Sequence, residues 1–120
     1  MKIVIKTKNL KLSRELKDFV EEKLGSLEKF LKIIYDKEKY FNSYFGKGKP
    51  RLEMWFEIGK ESRHHKKGPV FRAEAQIRLP KKSIRTEAVS KNLRQAITEV
   101  KDELQRELKQ YKEKIISLTT

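Results

Sequence analysis

Residues 90–115, SKNLRQAITEVKDELQRELKQYKEKI, contain the most regular hydrophobic pattern in the chain. Apolar side chains recur every three or four positions, at Leu93, Ala96, Ile97, Val100, Leu104, Leu108, Tyr111 and Ile115. At about 100° per residue, these side chains fall on one side of an α-helix, and that side needs a core to cover it. Ser90 is a candidate N-cap, because a serine hydroxyl can accept a hydrogen bond from a backbone N–H of the first turn.

The charged residues of this predicted helix are separated by sign. One flank carries the cations Lys91, Arg94, Lys101, Lys109 and Lys112. Most of the acids lie on the far side or on the opposite flank: Glu99, Asp102, Glu103, Glu107 and Glu113. An exposed helix usually mixes its signs to form i,i+4 pairs, so a basic flank indicates an anionic partner. The alternative is an ordinary solvated face in a lysine-rich protein.

The composition favours a folded protein that binds a polyanion. The chain has 120 residues, enough for one domain over residues 1–120, with 37% hydrophobic and 39% charged residues. Its formal net charge is +13 and its pI is about 9.9. This charge favours nucleic acid as the partner, with an anionic membrane surface as the second choice.

Other features of the sequence point to the cytoplasm. No apolar run is long enough to span a membrane, and Met1-Lys2 leads into a strand-like segment without the pattern of an export signal. Cysteine is absent, which excludes disulfides and thiolate chemistry and fits a reducing compartment. We therefore expect a cytoplasmic protein without a membrane partner.

The remaining periodic stretches predict strands, where residues alternate, and one further helix, where apolar residues have helical spacing. In chain order the elements are Lys2–Lys8 (strand), Ser13–Ile34 (helix), Leu52–Ile58, Val70–Leu79 and Ser83–Ala88 (strands), and Ser90–Ile115 (helix). The order β-α-β-β-β-α predicts an α+β fold, a four-stranded sheet with two helices packed on one face. We expect Lys2–Lys8 at or near an edge and the last three strands to be antiparallel.

Two irregular segments and one tryptophan stand apart from this pattern. Residues 36–50 are an aromatic and basic insertion, which can stack on unpaired bases; we favour a structural role, anchoring a long loop or extending the first helix. Residues 59–69 form a basic hairpin loop. Trp55 is the large apolar residue on the outer face of the sheet, where it either covers the sheet or marks an interaction patch.

Lys23 interrupts the apolar stripe of the first helix. Its stem can pack while its ammonium group reaches water. Alternatively, a second helix lies alongside, and Lys23 emerges in the groove between the two to meet a phosphate. The two interpretations are compatible.

The sequence favours binding over catalysis. The histidines, His64 and His65, are adjacent in a cationic loop, and no Asp or Glu cluster has the spacing of a metal site. The carboxylates are interleaved with lysines on exposed faces, where nothing adapts their pKa to acid–base work. We expect no enzymatic activity, no metal, no cofactor and no small-molecule substrate.

Several motifs resemble one known family, and together they cover nearly the whole chain. At the start these are Ile3-Val4-Ile5, Asn9-Leu10 and Ser13-x-x-Leu16-x-x-Phe19-Val20-x-x-Lys23-Leu24-x-x-Leu27-Glu28. Later come Ala73-Glu74-Ala75-Gln76-Ile77, Asn92-Leu93-x-x-Ala96-Ile97 and Leu104-x-Arg106-x-Leu108-x-x-Tyr111-Lys112-x-Lys114. They resemble the ribosome hibernation-promoting factor and ribosome-associated inhibitor family, also called the sigma-54 modulation protein family.

The resemblance implies a fold like that of double-stranded-RNA-binding domains (dsRBD-like). It implies binding to ribosomal RNA of the small ribosomal subunit, occlusion of the channel for mRNA and tRNA, and silencing of translation under stress. Because the sequence stops at Thr120, the resemblance implies a short form without the C-terminal domain that pairs ribosomes. We expect a monomer off the ribosome.

The expected RNA-binding residues combine the resemblance with the basic flank. The first set is Lys23, Arg106, Lys112 and Lys114; the second set is Arg94, Lys101 and Lys109. The family's stripe of cations on the last helix corresponds to Glu103, Arg106, Gln110 and Lys114, so two of its four positions are basic here. Either this protein contacts RNA partly through a different edge, or the second set is solvated surface.

Two alternative functions remain open. One is a free-standing protein that binds structured RNA by its A-form shape. The other is a protein–protein adaptor that docks its partner through Trp55 and the loop aromatics, with binding that is insensitive to salt.

Overall fold

A computed structural model describes residues 2–38, 53–61, 68–79 and 82–119 of the chain. The elements, in chain order, are β1 (Lys2–Lys8), α1 (Arg14–Gly25), α2 (Glu28–Glu38), β2 (Glu53–Glu61), β3 (Val70–Arg78), β4 (Ser83–Ser90) and α3 (Leu93–Thr119). The predicted α+β class is confirmed, and so is the predicted order of the strands along the chain. The first predicted helix is divided into two, so three helices accompany the sheet in the described part of the chain.

The four strands form one mixed sheet in the order β1-β2-β3-β4. β1 is an edge strand and pairs in parallel with β2, so that Ile3 lies beside Met54 and Ile5 beside Phe56. Helices α1 and α2 provide the crossover that a parallel pair requires. The pairs β2–β3 and β3–β4 are antiparallel, as the sequence predicts.

The core lies between one face of the sheet and the three helices. Met54, Phe56 and Ile58 on β2 are buried, as are Ala73 and Ala75 on β3. Above them lie the fully buried helical residues Val20, Leu24, Leu27, Leu31, Ile34, Ala96, Ile97, Val100, Leu104 and Leu108. Burying one leucine or isoleucine contributes about 1.5–3 kcal/mol, so this contact provides most of the stability that orients the helices.

The break between α1 and α2 differs from the continuous helix that the sequence predicts. Its cause is local, because Gly25 is a poor helix former and Ser26 competes for the helical carbonyls. The hydroxyl of Ser26 donates to the carbonyl of Lys23 at 2.7 Å, and the backbone N–H of Leu27 donates to the carbonyl of Leu24 at 3.0 Å. Leu27 nevertheless stays fully buried, so the apolar stripe continues across the break.

The helix caps are formed by Ser13 and Asn92. Ser13 caps α1, since its Oγ accepts from the backbone N–H of Leu16 at 3.1 Å. The prediction that Ser90 caps α3 is wrong. Ser90 is the last residue of β4, and Asn92 is the cap, its Oδ1 accepting from the N–H of Gln95 at 3.1 Å. The Oγ of Ser90 instead accepts from the N–H of Asn92 at 3.1 Å.

The two irregular segments are only partly within the described residues. Helix α2 continues to Glu38, so the predicted insertion at 36–50 begins in a helix, and its remainder lies outside the described residues. Strand β2 continues to Glu61, so the prediction of a loop is wrong for Gly59, Lys60 and Glu61. Residues 62–67 of the predicted basic loop, which include His64 and His65, lie outside the described residues. None of the helices in the described ranges combines the length and apolarity needed to span a bilayer.

Candidate nucleic-acid interface

The two charged flanks of α3 face different neighbours. The basic flank faces α1 and α2, since Arg94 contacts Phe19 of α1 and Lys112 contacts Phe30 of α2. The acidic flank faces β4, where Glu99, Glu103 and Glu107 line a groove. Helix α3 therefore separates a basic surface from an acidic one.

The ring of Phe19 contacts two cations that come from different helices. Lys23, one turn further along α1, places its Nζ 5.6 Å from the centroid of the Phe19 ring. Arg94, in the first turn of α3, places its guanidinium carbon 4.8 Å from the same centroid. The ring is half-buried and packs against the core, so its position is fixed by the packing of α1. We call these three residues the Phe19 cluster.

Phe30 has the same arrangement further along the helices. The Nζ of Lys29 lies 5.2 Å from the centroid of the Phe30 ring, and the Nζ of Lys112 lies 5.4 Å from it. Phe30 also packs against the core. We call these three residues the Phe30 cluster, and we call the surface that carries both clusters the helical groove. Phe19 of α1 contacts the start of α3, and Phe30 of α2 contacts its later part. The chain therefore runs in the same direction from α1 to α2 as it does along α3.

The four cations of these clusters have no acidic partner within the described part of the chain. No salt bridge joins a described carboxylate to Lys23, Lys29, Arg94 or Lys112. A cation–π contact at a partly exposed site contributes about 0.5–1 kcal/mol and leaves the charge in place. Two like charges near one ring also repel each other, so a phosphate bound between them would be attracted by both.

Lys101 and Lys109, from the second predicted set, lie on the same flank of α3. Lys101 is half-buried, between Arg94 and Lys112 in the sequence, and its Nζ lies 3.6 Å from Oδ1 of Asp102. Lys109 is exposed. Of the seven predicted RNA-binding residues, the structure thus brings Lys23 together with Arg94, places Lys112 further along the same groove, and places Lys101 and Lys109 on its α3 side.

Arg106 and Lys114 lie on the other flank of α3. Arg106 donates from Nε to Oε2 of Glu103 at 3.2 Å, and its Nη2 donates to Oε1. This hydrogen-bonded pair lowers the pKa of Glu103 and raises the pKa of Arg106. Lys114 is exposed and lies eleven residues after Glu103, about three turns along the same face. The structure does not bring these two cations into the helical groove.

Three residues of the helical groove, Phe19, Phe30 and Lys29, are not identified as binding residues by the sequence pattern. Phe19 and Phe30 have the spacing of the apolar stripe of the first predicted helix, and Lys29 is one of many lysines. The signal available for Phe19 is the i,i+4 spacing of an aromatic residue and Lys23, which places the two on one helical face. No sequence signal identifies the partners across the groove, because those depend on how α3 packs against α1 and α2.

The outer face of the sheet differs from the helical groove, because many of its charges are paired. Arg72 bonds Glu87 and lies 3.7 Å from Glu74, and Arg85 pairs with Glu74. The bond from Arg72 lowers the pKa of Glu87.

Trp55 lies on this outer face, half-buried, with Val4 beside it on β1 and Gln76 on β3. Lys2 pairs with Glu53 at 3.6 Å on the same face. Because these cations are already paired with carboxylates, the outer face is less suited to a polyanion than the helical groove.

The described residues contain no group of three or more His, Cys, Asp or Glu side chains that could hold a metal ion.

Comparison with known proteins identifies a family and two similar structures. Residues 3–116 match the family described as "Sigma 54 modulation protein / S30EA ribosomal protein". No curated protein matches the chain.

Among solved structures, the Protein Y N-terminal domain of Thermus thermophilus is similar, with a TM-score of 0.67 and 22% identity over 92% of this chain and 99% of that one. A ribosomal subunit interface protein from Coxiella burnetii has a TM-score of 0.62 and 16% identity over 93% and 98% of the two chains. At these identities the two structures support the fold.

Proposed function

Because the chain belongs to the sigma 54 modulation protein / S30EA ribosomal protein family, we propose that it is a ribosome-associated inhibitor of translation. In this proposal it binds ribosomal RNA of the small subunit and occludes the channel that mRNA and tRNA would use. The name of the similar Coxiella burnetii protein, a ribosomal subunit interface protein, supports the proposed association with the ribosome.

The observation that carries the proposal is the pair of aromatic clusters in the helical groove. Lys23, Lys29, Arg94 and Lys112 have no described acidic partner, although the chain contains 17 acidic residues. Cations that do not pair internally remain available to RNA phosphates, and their binding releases counterions from the RNA. The rings of Phe19 and Phe30 hold the cationic groups in place, which reduces the entropy lost on binding.

The seven predicted residues have unequal roles in this proposal. Lys23, Arg94 and Lys112 bind phosphates in the helical groove, and Lys101 and Lys109 extend the contact along α3. Arg106 and Lys114 make secondary contacts from the other flank, where Glu103 already neutralises much of the charge of Arg106. The geometry thus favours the basic flank over the stripe that the resemblance implies.

The proposed mode of action is occlusion. The protein requires no cofactor, metal or small-molecule substrate for this, performs no reaction, and acts in the cytoplasm as a monomer when it is off the ribosome. Inhibition then depends only on the fraction of small subunits that are occupied.

Co-sedimentation with purified small subunits tests the proposal. The variant Arg94→Gln/Lys112→Gln removes one cation from each cluster, and the control Lys2→Gln/Lys6→Gln removes two exposed charges from β1. The wild-type protein should pellet with small subunits at about 50 mM salt and dissociate by about 200 mM. The groove variant should dissociate at lower salt than the control, and tRNA should compete with the wild-type protein.

The same assay separates the alternatives. A free-standing binder of structured RNA would bind plain RNA duplex as tightly as it binds small subunits. An adaptor would bind with little dependence on salt and would lose binding in Trp55→Ala. Failure of the wild-type protein to sediment at low salt would contradict the proposal.

A further inference from the structure

A second groove lies on the opposite side of α3 from the helical groove. Its volume is about 530 Å³, and it is lined by Arg85, Thr86, Glu87, Ala88, Glu99, Glu103 and Glu107. Four carboxylates and one guanidinium therefore line a groove in a chain whose net charge is +13. We call it the acidic groove.

One wall of the acidic groove is an open edge of the sheet. β4 is the last strand in the order β1-β2-β3-β4 and pairs only with β3 among the described strands. Along such a strand, alternate residues direct their backbone N–H and C=O groups away from the sheet, where they can pair with another chain. These groups lie next to the glutamates of α3.

Glu107 in the acidic groove has unsatisfied hydrogen-bonding capacity. Its Oε2 atom is buried and accepts no hydrogen bond from the described residues. By contrast, Glu99 accepts from Nε2 of Gln95 at 3.2 Å, and Glu103 is bonded to Arg106. A buried carboxylate oxygen without a donor is costly, so a cation that enters the groove would be favoured there.

The spacing of the glutamates matches that of an extended chain. Glu99, Glu103 and Glu107 follow one another at four-residue intervals, about 6 Å apart along the helix axis. Side chains on one face of a strand recur at about 6.6 Å. Cations at alternate positions of a strand that lies along β4 would therefore meet successive glutamates.

From this geometry we propose that the acidic groove binds an extended basic peptide segment of a partner protein, which adds to β4 as a fifth strand. The backbone of the peptide pairs with the edge of β4, and its alternate Lys or Arg side chains contact Glu99, Glu103 and Glu107. The site is separate from the helical groove and does not depend on RNA binding.

Binding of a peptide with alternating arginine and threonine to the full chain tests the proposed site. The variant Glu99→Gln/Glu103→Gln/Glu107→Gln should bind the peptide about tenfold more weakly. The matched control Asp18→Asn/Glu21→Gln/Glu22→Gln removes as many exposed carboxylates from α1 and should bind like the wild-type protein. Equal binding by both variants, or no binding by the wild-type protein at low salt, overturns the proposal.

Two further measurements test the strand and the class of ligand. Hydrogen exchange at the amides of residues 83–90 should slow when the peptide binds. A peptide whose backbone amides are all N-methylated keeps the charge but has no N–H to donate to the edge of β4, so it should bind more weakly. Equal binding by the N-methylated peptide, or equally tight binding of spermine, refutes the addition of a peptide strand. Co-sedimentation of the Glu99→Gln/Glu103→Gln/Glu107→Gln variant with small subunits, at least as strong as that of the wild-type protein, would show that the variant is folded, since the substitutions free Arg106 from Glu103. Circular dichroism checks its fold if the proposed ribosome binding itself fails.

Discussion

The guanidinium carbon of Arg94 lies 4.8 Å from the centroid of the Phe19 ring, although the two residues are far apart in the sequence. The contact joins the first turn of α3 to α1. It holds a cation near the same ring that Lys23 contacts, since the Nζ of Lys23 lies 5.6 Å from its centroid. The side chain that contributes to packing thus also positions the charges.

Replacing Phe19 by leucine keeps an apolar side chain at this position but removes the aromatic ring. Phe19→Leu should lower the free energy of unfolding by about 1 kcal/mol, because it loses cation–π contacts and some buried area. Affinity for small subunits should fall several-fold, since Lys23 and Arg94 lose their common support. Urea unfolding and co-sedimentation measure the two effects. Phe19→Trp, which keeps an aromatic ring at this position, is the matched control. A leucine variant with full affinity for small subunits would show that the ring does not position the cations.

The assignment of Asn92 as the N-cap of α3 predicts unequal effects of two neighbouring substitutions. Asn92→Ala should lower the free energy of unfolding by about 1 kcal/mol, because the N–H of Gln95 loses its acceptor. Ser90→Ala should cost less, since Ser90 accepts only from the N–H of Asn92, outside the helix. Urea unfolding of both variants checks the order, and a larger loss for Ser90→Ala would contradict it.

The glycine at the end of α1 is replaceable. A Cβ atom at Gly25 would meet nothing within 4 Å, so Gly25→Ala should raise the free energy of unfolding by about 0.5–1 kcal/mol. Gly68 is the contrasting position, because its φ of +105° is one that side chains rarely adopt. Gly68→Ala should therefore destabilise the protein, which thermal unfolding of the two variants measures. Destabilisation by Gly25→Ala would show that the break between α1 and α2 needs glycine.

The hydrogen bonds from arginine lower the pKa of both Glu87 and Glu103 below the ordinary value of 4.5. A lowered pKa in the folded state contributes stability above the unfolded-state pKa, and this contribution is lost as the pH falls through the folded value. Stability should therefore decrease as the pH falls below about 4.5. Carboxyl carbon NMR of Arg72→Gln should show the pKa of Glu87 returning toward its ordinary value. An unchanged pKa in that variant would show that Arg72 is not its cause.

Much of the fold is predictable because burial imposes a period on the sequence. Alternation at Met54, Phe56 and Ile58 identifies β2, and the stripe from Leu93 to Ile115 identifies α3, with all but its half-buried Leu93 and Tyr111 buried as expected. The break after Gly25 was not predicted, since Leu27 continues the apolar stripe across it. The cap was misassigned because Ser90 and Asn92 are both good capping residues, and only the end of β4 distinguishes them.

The candidate site was predictable in part. Helical spacing identified the cations that share a flank of α3, including Arg94 and Lys112. It did not show that this flank faces α1 and α2, because that depends on which side of α3 the neighbouring helices occupy. The pairing of Arg106 with Glu103 follows from i,i+3 spacing and was overlooked, because the resemblance placed Arg106 among the RNA ligands.

The separation of the two flanks of α3 has a consequence for the approach to a partner. Opposite charges on opposite sides of one helix give the molecule a dipole moment transverse to that helix. In the field of a polyanion such a dipole experiences a torque that turns the basic side forward before contact is made. A larger share of random encounters would then begin in the productive orientation, and this gain in association rate would disappear as added salt screens the field.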